Sequence, residues 1–190
     1  EHVVSAYFKS FFKSKNIGVA TVRAGNVIGG GDWSQDRLIP DFIKAYIGNQ
    51  KLILRYPNAT RPWQHILDPL NGYIMLAERL YNNPMTFSGG WNFGPNNDSV
   101  KTVENTIFEA TSIWEKEQKW TKSIKEFPHE ANLLQLNSQK ANSLLDWFPA
   151  YSFEKAVSET INWYKIFYAK NKNMMDLTLK QIEDHEKQLR

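Results

Sequence analysis

Apolar residues recur along the chain at two periods. Val3, Val4, Tyr7, Phe8, Phe11 and Phe12 fall at helical spacing and give one apolar face through to Lys13, with Asn16 and Gly18 closing the segment. Ile17 to Val22 is then an apolar run of strand length. After a Gly-rich loop, Leu38, Phe42, Ile43 and Ile47 predict a short helix with Pro40 near its first turn and Gly48-Asn49 at its end. Leu52-Ile53-Leu54 reads as a short strand and Tyr56-Pro57-Asn58-Ala59 as a turn. Arg61 to Ile66 follows as an extended segment, because Pro62 disfavours helix for the residue before it.

The second half is more helical. Asp68 followed by Pro69 reads as a cap with Pro at the first helical position, and Leu70, Tyr73, Ile74, Ala77, Leu80 and Tyr81 predict the buried stripe of a long helix. Ser88-Gly89-Gly90 punctuates, Trp91-Asn92-Phe93 is a short strand, and Gly94 to Asn97 is a loop at its exit. Thr102 is placed to cap a helix carrying Val103, Ile107, Ala110, Ile113 and Trp114, after which Lys116 to Lys125 is charged and surface-like. Ser138 starts a helix with Ala141, Leu144 and Leu145, and Ser152 caps another with Phe153, Val157, Thr160, Ile161, Tyr164 and Tyr168 on one side. Met174 to Arg190 is charged with few apolar anchors, which predicts a peripheral or partly frayed helix.

Composition narrows the class. At 190 residues, with 42% hydrophobic and 14% aromatic content, the chain can bury a core as one domain or at most two. The 23 basic and 20 acidic side chains leave a net charge of only +3, which argues against nucleic acid as a partner. The absence of Cys removes disulfides and thiolate metal sites and suits a reducing cytoplasm. No apolar stretch approaches the roughly 20 residues that span a bilayer, so no membrane partner is expected. Glu1-His2 leads directly into the amphipathic pattern without an initiator Met or an N-cap, which predicts a fragment that begins inside a helix.

Candidate chemistry gathers on Thr21 to Pro40. There an apolar run exits into Gly29-Gly30-Gly31 and a loop carrying Asn26, Asp32 and Arg37. Strand exits in open α/β sheets are where small molecules bind, although these glycines follow no dinucleotide spacing and also suit an ordinary loop. Arg37, Arg55 and Arg61 all sit at loop or strand-end positions. Converging guanidiniums suit a diphosphate; the alternative is that each is simply solvated. Asn26 and Asn92 end two apolar strands, where an amide serves a sugar hydroxyl or phosphate oxygen or else caps its own turn. His65 and His129 are candidate acids or bases, or structural hydrogen bonders. His129-Glu130 has no partner at metal-ligand spacing, so no metal is expected. The residues by themselves imply an α/β domain that binds a small phosphorylated ligand.

Longer motifs carry a resemblance. RAGNVIGGGDW with DRLIP, then RPWQHILDPLNGYIMLAE, then WNFGP, resembles the CDP-glucose 4,6-dehydratase family of the extended short-chain dehydrogenase/reductases, from the first residue to about Tyr168. That resemblance implies the C-terminal part of an extended Rossmann-type fold, mainly helical with short strands, and CDP-glucose as the ligand. It implies substrate contacts from Asn26, Arg37, Leu38, Leu54, Arg55, Arg61 and Asn92, and from His129 in a loop that closes over the sugar nucleotide. It places the backbone of Val27 against the nicotinamide of NAD. The family's glycine fingerprint and Tyr-x-x-x-Lys dyad would lie upstream of Glu1, so no catalytic residue and little of the NAD site are expected within these residues. Other nucleotide-sugar epimerases or reductases, or a non-catalytic binding domain, share the broader motifs. A fragment of this kind is also expected to expose the apolar face of Val3 to Phe12 and the strand Ile17 to Val22, and to form a homo-oligomer.

Overall fold

Short apolar strands pair side by side while longer amphipathic segments cover them. The computed structural model describes residues 1–114, 120–124, 134–170 and 173–189. In chain order the elements are α1 (His2–Tyr7), β1 (Ala20–Ala24), β2 (Asn26–Ile28), α2 (Leu38–Ile47), β3 (Leu52–Leu54), β4 (Thr60–His65), α3 (Leu67–Asn82), α4 (Pro84–Phe87), β5 (Gly89–Phe93), β6 (Val100–Thr102), α5 (Val103–Trp114), β7 (Trp120–Lys122), α6 (Gln139–Leu145), α7 (Phe153–Ala169) and α8 (Met174–Gln188).

Three strand pairs are parallel, and parallel pairing demands crossovers rather than tight turns. β1 pairs with β5, Val22 lying opposite Trp91. β2 pairs with β4, Asn26 lying opposite Trp63, and β3 pairs with β7. β6 joins the far edge of β4 antiparallel, Arg61 opposite Lys101. The crossover from β2 to β4 runs through α2 and β3, so the loop after β2, the start of α2 and the exit of β3 converge on one side of β4.

Two apolar cores hold this arrangement. The larger packs Phe42 and Ile43 of α2, Leu52 and Leu54 of β3, and Trp63 of β4 against Ile107 of α5 and Val157, Ile161 and Tyr164 of α7. The smaller joins Leu76 of α3, Trp91 and Phe93 of β5, and Leu145 and Trp147 near α6. Each such side chain contributes roughly 1.5–3 kcal/mol when buried. Two caps form as the sequence predicts. The Thr102 hydroxyl accepts from the Asn105 amide at 3.0 Å, and the Ser152 hydroxyl accepts from the Lys155 amide at 3.2 Å.

Five expectations change. The first helix runs α-helical only to Tyr7 and continues as a π-turn through Phe12, while its apolar face is exposed as expected, with none of its residues buried. Asp68 is not the cap of α3: Ile66 precedes the helix and Asp68 sits buried in the first turn. The predicted stripe of α3 splits: Tyr73 and Leu80 pack against the smaller core, while Leu70, Ile74 and Tyr81 face outward, Ile74 71% and Tyr81 88% exposed. That helix carries a second periodic set, Pro69, Gly72 and Leu76, which is the buried one. Gly72 decides the choice, because a Cβ there would stand 2.4 Å from the Phe93 ring, so only the small-residue face approaches β5 closely. Trp120 to Lys122, read as charged surface, forms β7 on the edge of β3. The last segment is a packed helix in which Gln181 and His185 are buried.

Candidate functional site

β2 ends at Ile28 against His65 of β4, and the chain then turns through Gly29, Gly30 and Gly31, the last with φ +83°. This loop, the start of α2, the exit of β3 and the inner edge of β4 enclose a cleft of about 760 Å³. Asn26, Val27, Arg37, Leu38, Leu54, Arg55 and Arg61 all line it. Asn26 opens β2 and Arg37 caps α2 in extended conformation, so backbone geometry places both side chains at element ends.

The three arginines differ. Arg61 is 7% exposed, and its Nη1 donates to the Thr60 carbonyl at 2.7 Å. Arg55, at the exit of β3, forms an ion pair with Asp36 across the cleft mouth. Asp36 adopts a left-handed conformation at φ 59°, which turns its carboxylate toward that arginine. Arg37 is exposed on the loop side. Asp32 also lines the cleft. Burial works against its charge, but hydrogen bonds from Ser34 together with the positive Arg37 and Lys44 hold its carboxyl below the usual range. Asp41 is shifted the other way, pushed up by burial. The cleft thus combines three arginines, balanced by Asp32, Asp36 and Asp41, with a polar amide and apolar walls from Leu52 and Leu54, so that guanidinium donors and a flat apolar surface are both on offer to a ligand.

The remaining candidates lie elsewhere. Asn92 is on β5, where it accepts from Arg23 Nη1 at 2.7 Å and donates to the Asn137 carbonyl at 3.1 Å, outside the cleft lining. His65 is buried beneath the sheet, its ring 5.4 Å from that of Tyr151. Desolvation holds its imidazole down at about 4, outweighing the upward pull of Asp68 and Glu159, so it is neutral at pH 7. His129 lies outside the described residues. Asp36 was not singled out in the sequence, because only the left-handed backbone aims it at Arg55.

The spacing Tyr-x-x-x-Lys does occur, at Tyr151 and Lys155. Tyr151 is buried, and desolvation followed by the charges of Glu159, Asp68 and Asp184 pushes its hydroxyl up to about 12, the reverse of what a proton-transferring tyrosine needs. Among the described residues no group of three His, Cys, Asp or Glu side chains is placed to hold a metal ion, and no helix is long and apolar enough to cross a membrane.

No family model matches the chain. The chain is 42% identical over 97% of its length to CDP-glucose 4,6-dehydratase of Salmonella typhimurium, of which it covers 53%. The resemblance read from the motifs therefore extends along nearly the whole chain. Among solved structures it superposes with a TM-score of 0.74 on UDP-glucuronic acid 4-epimerase from Bacillus cereus, in complex with UDP-glucuronic acid and NAD. That match has 21% identity and covers 88% of this chain and 50% of that one. The dTDP-glucose 4,6-dehydratase from Bacillus anthracis, in complex with NAD, gives a TM-score of 0.65 at 20% identity, over 86% of this chain and 49% of that one. The fold is that of the C-terminal part of a Rossmann-type short-chain dehydrogenase/reductase. The chain spans about half the length of each of these relatives.

Proposed function

We propose that the chain is the substrate-binding half of a nucleotide-sugar 4,6-dehydratase whose substrate is CDP-glucose. The observation that carries this reading is the convergence of Asn26, Arg37, Arg55 and Arg61 on one cleft in a chain 42% identical to a CDP-glucose 4,6-dehydratase. In this reading Arg61, with Arg37 and Arg55 at the rim, holds the diphosphate. A guanidinium fork offers paired donors to adjacent phosphate oxygens. Leu38 and the Leu52 to Leu54 strand flank the base, and Asn26 orients the sugar. Asn92 stands outside the cleft lining and would reach the sugar only after its bonds to Arg23 and Asn137 rearrange.

NAD fits the same reading through a single position, the half-exposed Val27 on the cleft side of β2, and most of its site would come from other residues of the whole protein. When bound it would supply reversible hydride transfer, which acidifies the sugar C5 proton by making a 4-ketone and so permits loss of water across C5 and C6. The residues of this chain bind and orient the substrate for that chemistry. A homo-oligomer belongs to the same proposal, since Val3, Tyr7 and Phe11 of the first helical segment point outward.

The test is product analysis. The whole protein, given NAD and CDP-glucose, is expected to release CDP-4-dehydro-6-deoxyglucose, while these 190 residues alone form none. A second reading, a 4-epimerase, is favoured by the TM-score of 0.74 to the Bacillus cereus epimerase, and it predicts an epimer of unchanged mass instead of a dehydrated sugar.

A further inference from the structure

The glycine loop of the cleft is gripped from behind by α7. Gly30 lines the cleft on one side. On its other side lies the Trp163 indole: a Cβ on Gly30 would stand 2.1 Å from Trp163 Cγ and 2.2 Å from Cδ2. Gly30 does not have a positive φ, so its backbone would accept alanine; the ring is what excludes one. The neighbouring Tyr164 donates its hydroxyl to the Asp32 carbonyl at 2.6 Å, and Trp33 packs against Tyr164 and Phe167 with ring centroids 5.2 and 5.1 Å apart. The indole is itself fixed. It stacks on Phe167 at 5.5 Å with planes 10° apart, and its Nε1 donates to Thr178 Oγ1 of α8 at 3.2 Å. α8 is held in turn by His185 Nε2 on Asp68 Oδ1 at 2.9 Å and by Gln181 on the Glu159 carbonyl at 2.9 Å.

We propose that Trp163 is a positioning residue: its indole, seated in the space left by the missing Cβ of Gly30, fixes the loop of residues 29–33 at the height a ligand in the cleft requires. The ligand half of this proposal rests on the reading of the cleft as a nucleotide-sugar site. Packing of this kind is directional. A loop pressed from behind by a rigid plate cannot recede when a ligand presses from the front, so the cost of ordering it is met before binding. The last helix, through Thr178, thereby bears on a cleft that none of its residues lines.

The geometry gives a coupling test. Gly30→Ala, Trp163→Ala, the double variant and Trp163→Phe are made in this chain. CDP-glucose affinity is titrated, and chymotrypsin cleavage after Trp33 is followed without ligand. Gly30→Ala pushes the loop off the ring and Trp163→Ala removes the plate, so each is expected to weaken binding and speed cleavage about ten-fold, the scale of a core overpacking or cavity defect. Removing the ring also removes the clash, so the double variant is expected to be no worse than Trp163→Ala alone, and Trp163→Phe to keep most of the wild-type behaviour. Effects that add in the double variant, or a Trp163→Ala chain whose melting temperature falls while affinity and cleavage stay at wild type, overturn the proposal. A wild-type chain that binds no CDP-glucose overturns the reading of the cleft and the ligand half with it; the cleavage cycle then decides the loop half separately.

Discussion

Arg61 has the most enclosed guanidinium-bearing position of the cleft: it is 7% exposed, and its Nη1 donates to the Thr60 carbonyl at 2.7 Å. If Arg61 faces a diphosphate, Arg61→Ala in the whole protein removes a charge-assisted contact on the order of 2 to 3 kcal/mol. That loss is expected in KM with kcat almost unchanged, because ground and transition states lose it equally. Lys at this position recovers part of it. A variant that melts earlier but keeps its KM would make Arg61 a structural residue instead. The cleft residues stand out in the sequence as polar groups beside turns: Asn26 opens β2, Arg37 precedes α2, Arg55 follows β3, and Arg61 lies at the start of β4. Asn92 stands apart from them, since β5 pairs with β1 and the Asn92 amide is bonded to Arg23 and to the residue 137 carbonyl outside the cleft lining. Asp36 escaped notice because its aim depends on one positive φ.

Among the elements, α3 shows how two periodicities compete. The apolar set from Leu70 to Tyr81 and the set Pro69-Gly72-Leu76 both recur at helical spacing, and hydrophobicity alone does not separate Tyr73 and Leu80, which pack on the core, from Leu70, Ile74 and Tyr81, which do not. Gly72 settles the choice by letting Phe93 and Trp147 Nε1 approach to 2.4 and 3.0 Å of where a Cβ would be. Gly72→Ala is therefore expected to cost about 1–3 kcal/mol by overpacking, read as a lower urea midpoint. An unchanged midpoint would mean that α3 can lift away from β5. The outward faces of α1 and α3 make a further prediction, that the chain self-associates. Light scattering at micromolar concentration should give a dimer or larger species, and a clean monomer would count against it. Helix positions were largely readable from caps such as Ser152 and Thr102. β7 was not, because a three-residue strand of Trp120, Thr121 and Lys122 gains its identity only from the open edge of β3.

The whole molecule is tied together beneath the sheet by a polar cluster that no local pattern announces. Asp68 accepts from the Ala150 amide at 2.8 Å and meets His185 at 2.9 Å, while its carbonyl accepts from Trp147 Nε1 at 3.1 Å, joining α3, the stretch before α7 and α8. Beside it His65 is held neutral, at about 4 in the fold against 6.5 unfolded, by burial. The unfolded chain therefore binds a proton at a pH where the folded one does not. Stability is fullest above pH 6.5 and falls as pH drops toward 4, by about 2 kcal/mol between pH 7 and 5. Urea titrations at the two pH values should show this loss, and His65→Asn should flatten it; an equal dependence in the variant would assign it to other groups. Above this buried cluster lies the cleft, and the account turns on what that cleft holds. The direct measurement is calorimetric titration of this chain with CDP-glucose, CDP and glucose 1-phosphate. The account predicts saturable one-to-one binding of CDP-glucose, retained in large part by CDP, nearly lost with glucose 1-phosphate, and weakened by Arg61→Ala. Equal affinity for all three, or binding indifferent to Arg61, would contradict it.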